Sequence, residues 1–156
     1  MKLLSIGIAL SALLIAPMAS AHDAGIATTI HTMMEGFNKG DVAAVKAAHV
    51  TDPTIVDNVA PFAWSGAGSF DKWLGDLAKS EAAAGKSDGN VWFGDAVDEQ
   101  ISGDHAYVTA PCRYTYKQGG KTMRESGFIA FVLVKEGAAW KVASWSWASP
   151  AGTEVK

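Results

Sequence analysis

The sequence has almost no cysteine. With Cys112 alone among 156 residues, no disulfide can close within the chain, and no cysteine pair is available for redox or metal chemistry. Basic residues are also scarce. Lys and Arg number 13 against 16 Asp and Glu, and they are scattered, so the footprint expected of a protein that binds nucleic acid or an anionic membrane is missing. No P-loop, Rossmann glycine pattern or nucleophile elbow occurs, and no apolar run after the first 21 residues is long enough to predict a membrane helix. Cys112 itself stands in the apolar segment APCRY, which predicts a buried small hydrophobe and not a nucleophile.

What is present begins with MKLLSIGIALSALLIAPMASAHD. One lysine, an apolar run from Leu3 to Ala16, Pro17 and the small-residue site Ala19-Ser20-Ala21 predict a secretory signal peptide over residues 1–21, because the run is too short to span a bilayer. Cleavage after Ala21 would start the mature chain at His22, in the periplasm or outside the cell. It would leave 135 residues with a net charge of −4, since Lys2 is the only charged residue removed. That length suits one domain with its own core.

Spacing then divides the chain into a helical half and a strand half. Ile26, Ile30, Met33, Met34 and Phe37 recur at helical intervals. Asn38-Lys39-Gly40 should stop this first helix, and Asp41 should cap a second that runs to about His49. Thr54 to Asp57 reads as a brief strand. Gly66 to Ser69 reads as a turn with a capping serine, and Phe70, Trp73, Leu74 and Leu77 mark a third helix to about Ala84. Four segments rich in Val, Ile, Tyr, Phe and Trp follow, at Val91–Ile101, His105–Lys117, Thr122–Lys135 and Trp140–Ala148, with hairpin-length turns between them. Helices first and a meander second predict an α+β domain over residues 22–150, with three helices on one face of a curved antiparallel sheet and a frayed tail at 151–156.

The pieces FNKGD, IVDNVAPFAWSG, SGDHAYVTAPCRYTYK and WKVASWSWA, in that order, resemble the nuclear transport factor 2-like superfamily in its SnoaL-like branch, from about Ile26 to Ala148. The resemblance implies a cone-shaped domain enclosing a cavity, which some relatives use for catalysis and others for binding or dimerisation. Fold alone therefore leaves function open. In the ketosteroid isomerases of that superfamily a catalytic aspartate closes the short strand, sixteen residues after the aspartate of the Gly-Asp turn, and Asp57 follows Asp41 by the same interval. The oxyanion-hole tyrosine, however, falls on Met33, and the stretch expected to hold a protonated aspartate reads Ile-Ala-Phe-Val over 129–132. Without acidic donors a dienolate goes unstabilised, so steroid isomerase activity is excluded. Ser144 and Ser146 stand where many SnoaL-like relatives carry histidines.

Asp57 is the residue on which the enzyme question turns. One reading makes it a general base or anchor in the cavity mouth, with Tyr114 or Tyr116 as polar partner and its pKa raised by apolar neighbours. The other pairs it with Arg113 or Arg124, or with backbone N–H groups at the strand end. Arg113 alternates with Tyr114 and Tyr116, which favours the outer face over a role clamping an anionic substrate. Met33, Phe37, Phe62, Trp64, Trp73, Trp145 and Trp147 are the expected cavity lining, with core filling as the alternative for the tryptophans. Trp145 and Trp147 share one sheet face and Ser144 and Ser146 the other; which pair looks inward stays open. His22, His31, His49 and His105 show no ligand spacing, so neither a metal nor a cofactor is expected. The functions in play are a binding module for a small apolar or aromatic molecule, a cofactor-free lyase, isomerase or hydrolase using Asp57, and a structural homodimer. A large residue at Ala130 is expected to fill the cavity.

Overall fold

A computed structural model describes residues 22–156; the expected signal peptide lies outside the described residues. Asp23 opens helix α1 (Ala24–Lys39) by accepting from the N–H groups of Gly25 at 2.7 Å and Ile26 at 3.4 Å. Gly40, at φ 68°, closes it. Asp41 then caps α2 (Val42–Ala48) through the N–H of Ala44 at 3.0 Å, as the sequence predicts. Helix α3 (Ser69–Ala84) starts differently. Gly68 stands at its N-cap, and Ser69 is a fully buried first-turn residue whose hydroxyl donates to the Pro53 carbonyl at 2.6 Å, pinning the helix to strand β1 (His49–Val56).

The remaining strands are β2 (Ala63–Trp64), β3 (Lys86–Phe93), β4 (Asp98–Ser102), β5 (His105–Gln118), β6 (Lys121–Glu136), β7 (Ala139–Ala148) and β8 (Thr153–Glu154). They form one sheet in the order β2-β1-β7-β6-β5-β3, with β4 on β5 and β8 on β6. Three expectations need correction. The sheet is mixed, because β1 runs parallel to β7. The strand predicted over Val91–Ile101 is two strands in tandem along β5, broken at Gly94–Val97, where Gly94 and Val97 still donate to Pro111 and Thr109 at 2.9 and 2.8 Å. The tail is not frayed at 153–154, since β8 pairs with Met123 and Arg124 and Val155 donates to Thr122 at 2.9 Å.

The core lies between the helices and one sheet face. Ala106, Val108, Ala110 and Cys112 of β5 and Ile129, Phe131 and Leu133 of β6 are buried on it, as strand alternation requires. On β7 the alternation breaks. Leu133 pairs with Val142 but Val132 pairs with Ser144, so β7 carries one extra residue between them. This bulge changes the phase of the strand. Trp140 and Val142 point inward before it, and Trp145 and Trp147 point inward after it, while Ser144 and Ser146 face out. Among the described residues, no helix is long and apolar enough to cross a membrane.

Candidate functional site

Where β1 ends, Asp57 turns toward α3. Its Oδ2 accepts from the indole Nε1 of Trp73 at 2.8 Å and its Oδ1 from the N–H of Asn58 at 2.7 Å. Neither Arg113 nor Arg124 pairs with it; its partners are an indole and the backbone. Burial holds the Asp57 carboxyl above the ordinary carboxylate pKa, because desolvation disfavours the charged form. The Trp73 and Asn58 hydrogen bonds oppose that shift, and the nearby charges of Glu125 and Glu81 add to it.

Asp57 opens onto a half-enclosed cavity of about 270 Å³. Met33 and Phe37 of α1, Trp73 and Leu77 of α3, and Trp145 and Trp147 of β7 supply apolar wall. Trp73 meets Trp145 edge-on at 5.0 Å and Phe37 at 5.5 Å, a geometry aromatic pairs prefer. Three further groups at this cavity were not predicted. Glu81 accepts a hydrogen bond from the Tyr114 hydroxyl. Glu125, 6% exposed, accepts from Lys86 Nζ and Asn58 Nδ2, each at 3.2 Å, and from Ser149 Oγ at 3.3 Å. Lys86 closes the set, its Nζ 4.1 Å from the Tyr116 ring centroid and 5.6 Å from that of Tyr114. Signals for two of them existed. Glu81 continues the stripe of Trp73 and Leu77 along α3, and Glu125 shares the inward parity of Ile129 on β6. Lys86 had none, because it falls between the third predicted helix and the segment from Val91, in a stretch assigned to neither. In the structure that stretch is a strand with an irregularity between Ser87 and Asn90, and Asp88 sits at φ 52°.

The expected lining is met in part. Met33, Phe37, Trp73, Tyr114, Trp145 and Trp147 all face the cavity. Phe62 does not; it lies on the turn between β1 and β2 and is 59% exposed. Trp64 is buried against α3, where its Nε1 donates to Asp76 at 3.1 Å, away from the cavity. Tyr116 is buried behind Tyr114, ring centroids 5.1 Å apart, and does not line the space. Arg113 is on the outer face, stacked 4.4 Å from the Trp92 ring centroid. Ala130 pairs with Ser146 on that outer face, so a large residue there would leave the cavity open. Burial and the negative charge of Glu81, whose carboxylate also accepts its hydroxyl bond, push the Tyr114 phenol pKa up, and burial pushes the Cys112 thiol up to about 12.

A second hollow lies on the other flank of α1, lined by Ile26, Ile30, Met34 and Val108. Of its two carboxylates, Asp95 and Glu99, the buried Glu99 accepts from the N–H of Asp23 at 2.7 Å and lies 3.2 Å from His22 Nδ1. Among the described residues, no group of three or more His, Cys, Asp or Glu side chains is arranged to hold a metal ion.

No family model and no curated protein matches this sequence. Solved structures do. A type 2 hexachlorocyclohexane dehydrochlorinase, LinA, superposes with a TM-score of 0.68 at 12% identity, over 85% of this chain and 88% of that one. A scytalone dehydratase-like protein of Novosphingobium aromaticivorans DSM 12444 gives 0.66 at 13% identity, over 85% and 86%. An NTF-2-like protein of Shewanella oneidensis MR-1 gives 0.54 at 18% identity, over 78% and 94%. The chain has the nuclear transport factor 2-like fold. In this α+β cone, likeness at such identities carries architecture and no activity.

Proposed function

We propose that the chain is a binding module that takes up a small, largely apolar or aromatic molecule in the cavity beside Asp57. The supporting observation is the state of the cavity's hydrogen-bond donors. Trp73 donates to Asp57, Tyr114 to Glu81, and Lys86 and Asn58 to Glu125. Base-catalysed chemistry at carbon needs a donor free to meet the developing oxyanion, usually the larger contribution; the indole and the phenol have no second hydrogen to offer, and the Lys86 ammonium is held between Glu125 and the Tyr116 ring. The Trp145 N–H, which has no partner, is itself fully buried. A cavity of about 270 Å³, just under the usual range for ligand sites, suits a molecule of one or two rings. In the same reading the protein is a SnoaL-like domain, exported after cleavage at Ala21 and working as a homodimer.

The test is a thermal-shift screen of small aromatic compounds against the mature chain, repeated on Leu77→Trp, which fills the cavity from α3. A rise in melting temperature that disappears in Leu77→Trp supports the reading. A rise of equal size in both proteins, or none in either, overturns it.

One observation favours a second reading: the desolvated Asp57, with its pKa raised, has the character of a general base for a cofactor-free lyase, isomerase or hydrolase. The dehydrochlorinase sharing the fold is an enzyme by name, at an identity too low to transfer its reaction. Turnover that survives Asp57→Asn would sink this second reading.

A further inference from the structure

We propose that the ligand is an organic cation, a protonated amine or quaternary ammonium group borne on a small aromatic or aliphatic body. The inference rests on the reading that the cavity takes up a small molecule, and it names the class. Three carboxylates from three separate segments line the space: Asp57 after β1, Glu81 on α3 and Glu125 on β6. Lys86 is the one cationic side chain among the residues lining it. Three carboxylates against one ammonium leave a formal charge of −2.

Hydrogen-bond capacity points the same way. The indole of Trp73, the phenol of Tyr114, the ammonium of Lys86 and the amide of Asn58 each already donate to one of those carboxylates. An ionised carboxylate offers about four acceptor sites against three donors on an ammonium, so the three carboxylates keep more free acceptors than Lys86 and Asn58 keep free donors. Ser80, on the rim, is a hydroxyl that serves either role. A ligand that brings donors and positive charge therefore meets more unfilled partners than one that brings acceptors.

The walls add a second attraction. The rings of Trp73, Trp145, Trp147 and Tyr114 face the space, and a cation over an aromatic face is drawn by the ring quadrupole, more strongly where water is excluded. The cavity itself already shows this geometry. Lys86 Nζ lies 4.1 Å from the Tyr116 ring centroid while bonded to Glu125 at 3.2 Å. Asp57, Trp73 and the β7 tryptophans bring the same ingredients, carboxylate and aromatic rings, to the cavity wall.

The experiment is calorimetric titration of the mature chain with three compounds of one size: benzylamine, benzyl alcohol and benzoate, at neutral pH. The expected result is that benzylammonium binds about tenfold or more tightly than benzyl alcohol and that benzoate does not bind. Asp57→Asn and Glu81→Gln should each weaken benzylammonium more than benzyl alcohol and so reduce that ratio. Lowering the pH of the wild-type titration toward protonation of Asp57, with Glu81, Glu125, Lys86 and Tyr114 as its charged and titratable neighbours, should reduce it again. This arm stands even if a variant does not fold. Equal affinity for amine and alcohol overturns the cation proposal and leaves the binding reading intact. Failure of all three compounds to bind overturns both.

Discussion

Asp57 and Glu99 are both carboxylates drawn out of water beside helix α1, one on each flank, and the chain uses them differently. Glu99 is held by the residues that lead into α1: the Asp23 N–H at 2.7 Å and His22 at 3.2 Å bring them onto β4. Its hollow is walled by aliphatic side chains such as Ile26 and Ile30. Asp57 is held by an indole from another element, faces two further carboxylates and looks onto aromatic rings. A buried carboxylate is costly unless it is hydrogen-bonded, and both meet that condition. The difference lies in what surrounds them once it is met: Glu99 ties β4 to the residues leading into α1 beside a hollow walled by Ile26 and Ile30, whereas Asp57 borders a cavity with two further carboxylates and aromatic rings.

The largest effect that would sharpen this contrast is expected from Trp73→Ala. Trp73 is buried between Phe37, Phe70 and Trp145 as well as donating to Asp57. Its removal should cost about 3–5 kcal/mol in urea-induced unfolding, with Trp73→Phe costing less because the ring remains and only the donor goes. Glu99→Leu should cost about 1–3 kcal/mol, since it leaves the buried end of the Asp23 N–H unpaired, and should leave ligand titrations unchanged. An effect of Glu99→Leu on binding would break the comparison outright.

Asp57→Asn should behave in the opposite sense to Glu99→Leu. The folded pKa of Asp57 is raised above 3.8, so folding favours its protonated form. Stability from this group is fully present below the unfolded value and is lost as pH rises through the folded one. At neutral pH ionised Asp57 therefore works against the fold, and an amide that keeps the Trp73 bond should hold or slightly raise the melting temperature. A clear drop at neutral pH would contradict that sign. The smallest effect concerns Cys112, whose buried thiol is pushed up to about 12. A thiol reagent at mildly alkaline pH should modify it only after unfolding.

Much of this was legible in the sequence, and the failures have physical causes. Helices α1 and α2 follow from the spacing of Ile26, Met33 and Phe37 and from Asp41 and Gly40, because capping and periodicity are local. For Asp57 the sequence left two readings, a carboxylate desolvated by apolar neighbours and one held by backbone N–H groups, and the structure carries features of both. The orientation of Trp145 and Trp147 was not, because it depends on a bulge near Ser144 that shows only in the pairing of β7 with β6. Nor was the split between β3 and β4, since both lie along one partner strand and share its composition. Phe62 and Trp64 were drawn toward the cavity by proximity to Asp57 in sequence, whereas the turn after Asp57 carries one to solvent and the other to the far side of α3.

The most direct test of the central claim is the pKa of Asp57, by carboxyl-carbon NMR titration assigned with Asp57→Asn, in the free protein and with benzylamine present. The account predicts a free value above 3.8 that falls when the ammonium ion is bound, since an opposite charge nearby favours the carboxylate. A free value at or below 3.8 would mean that Asp57 is solvated or fully paired, and would contradict the account.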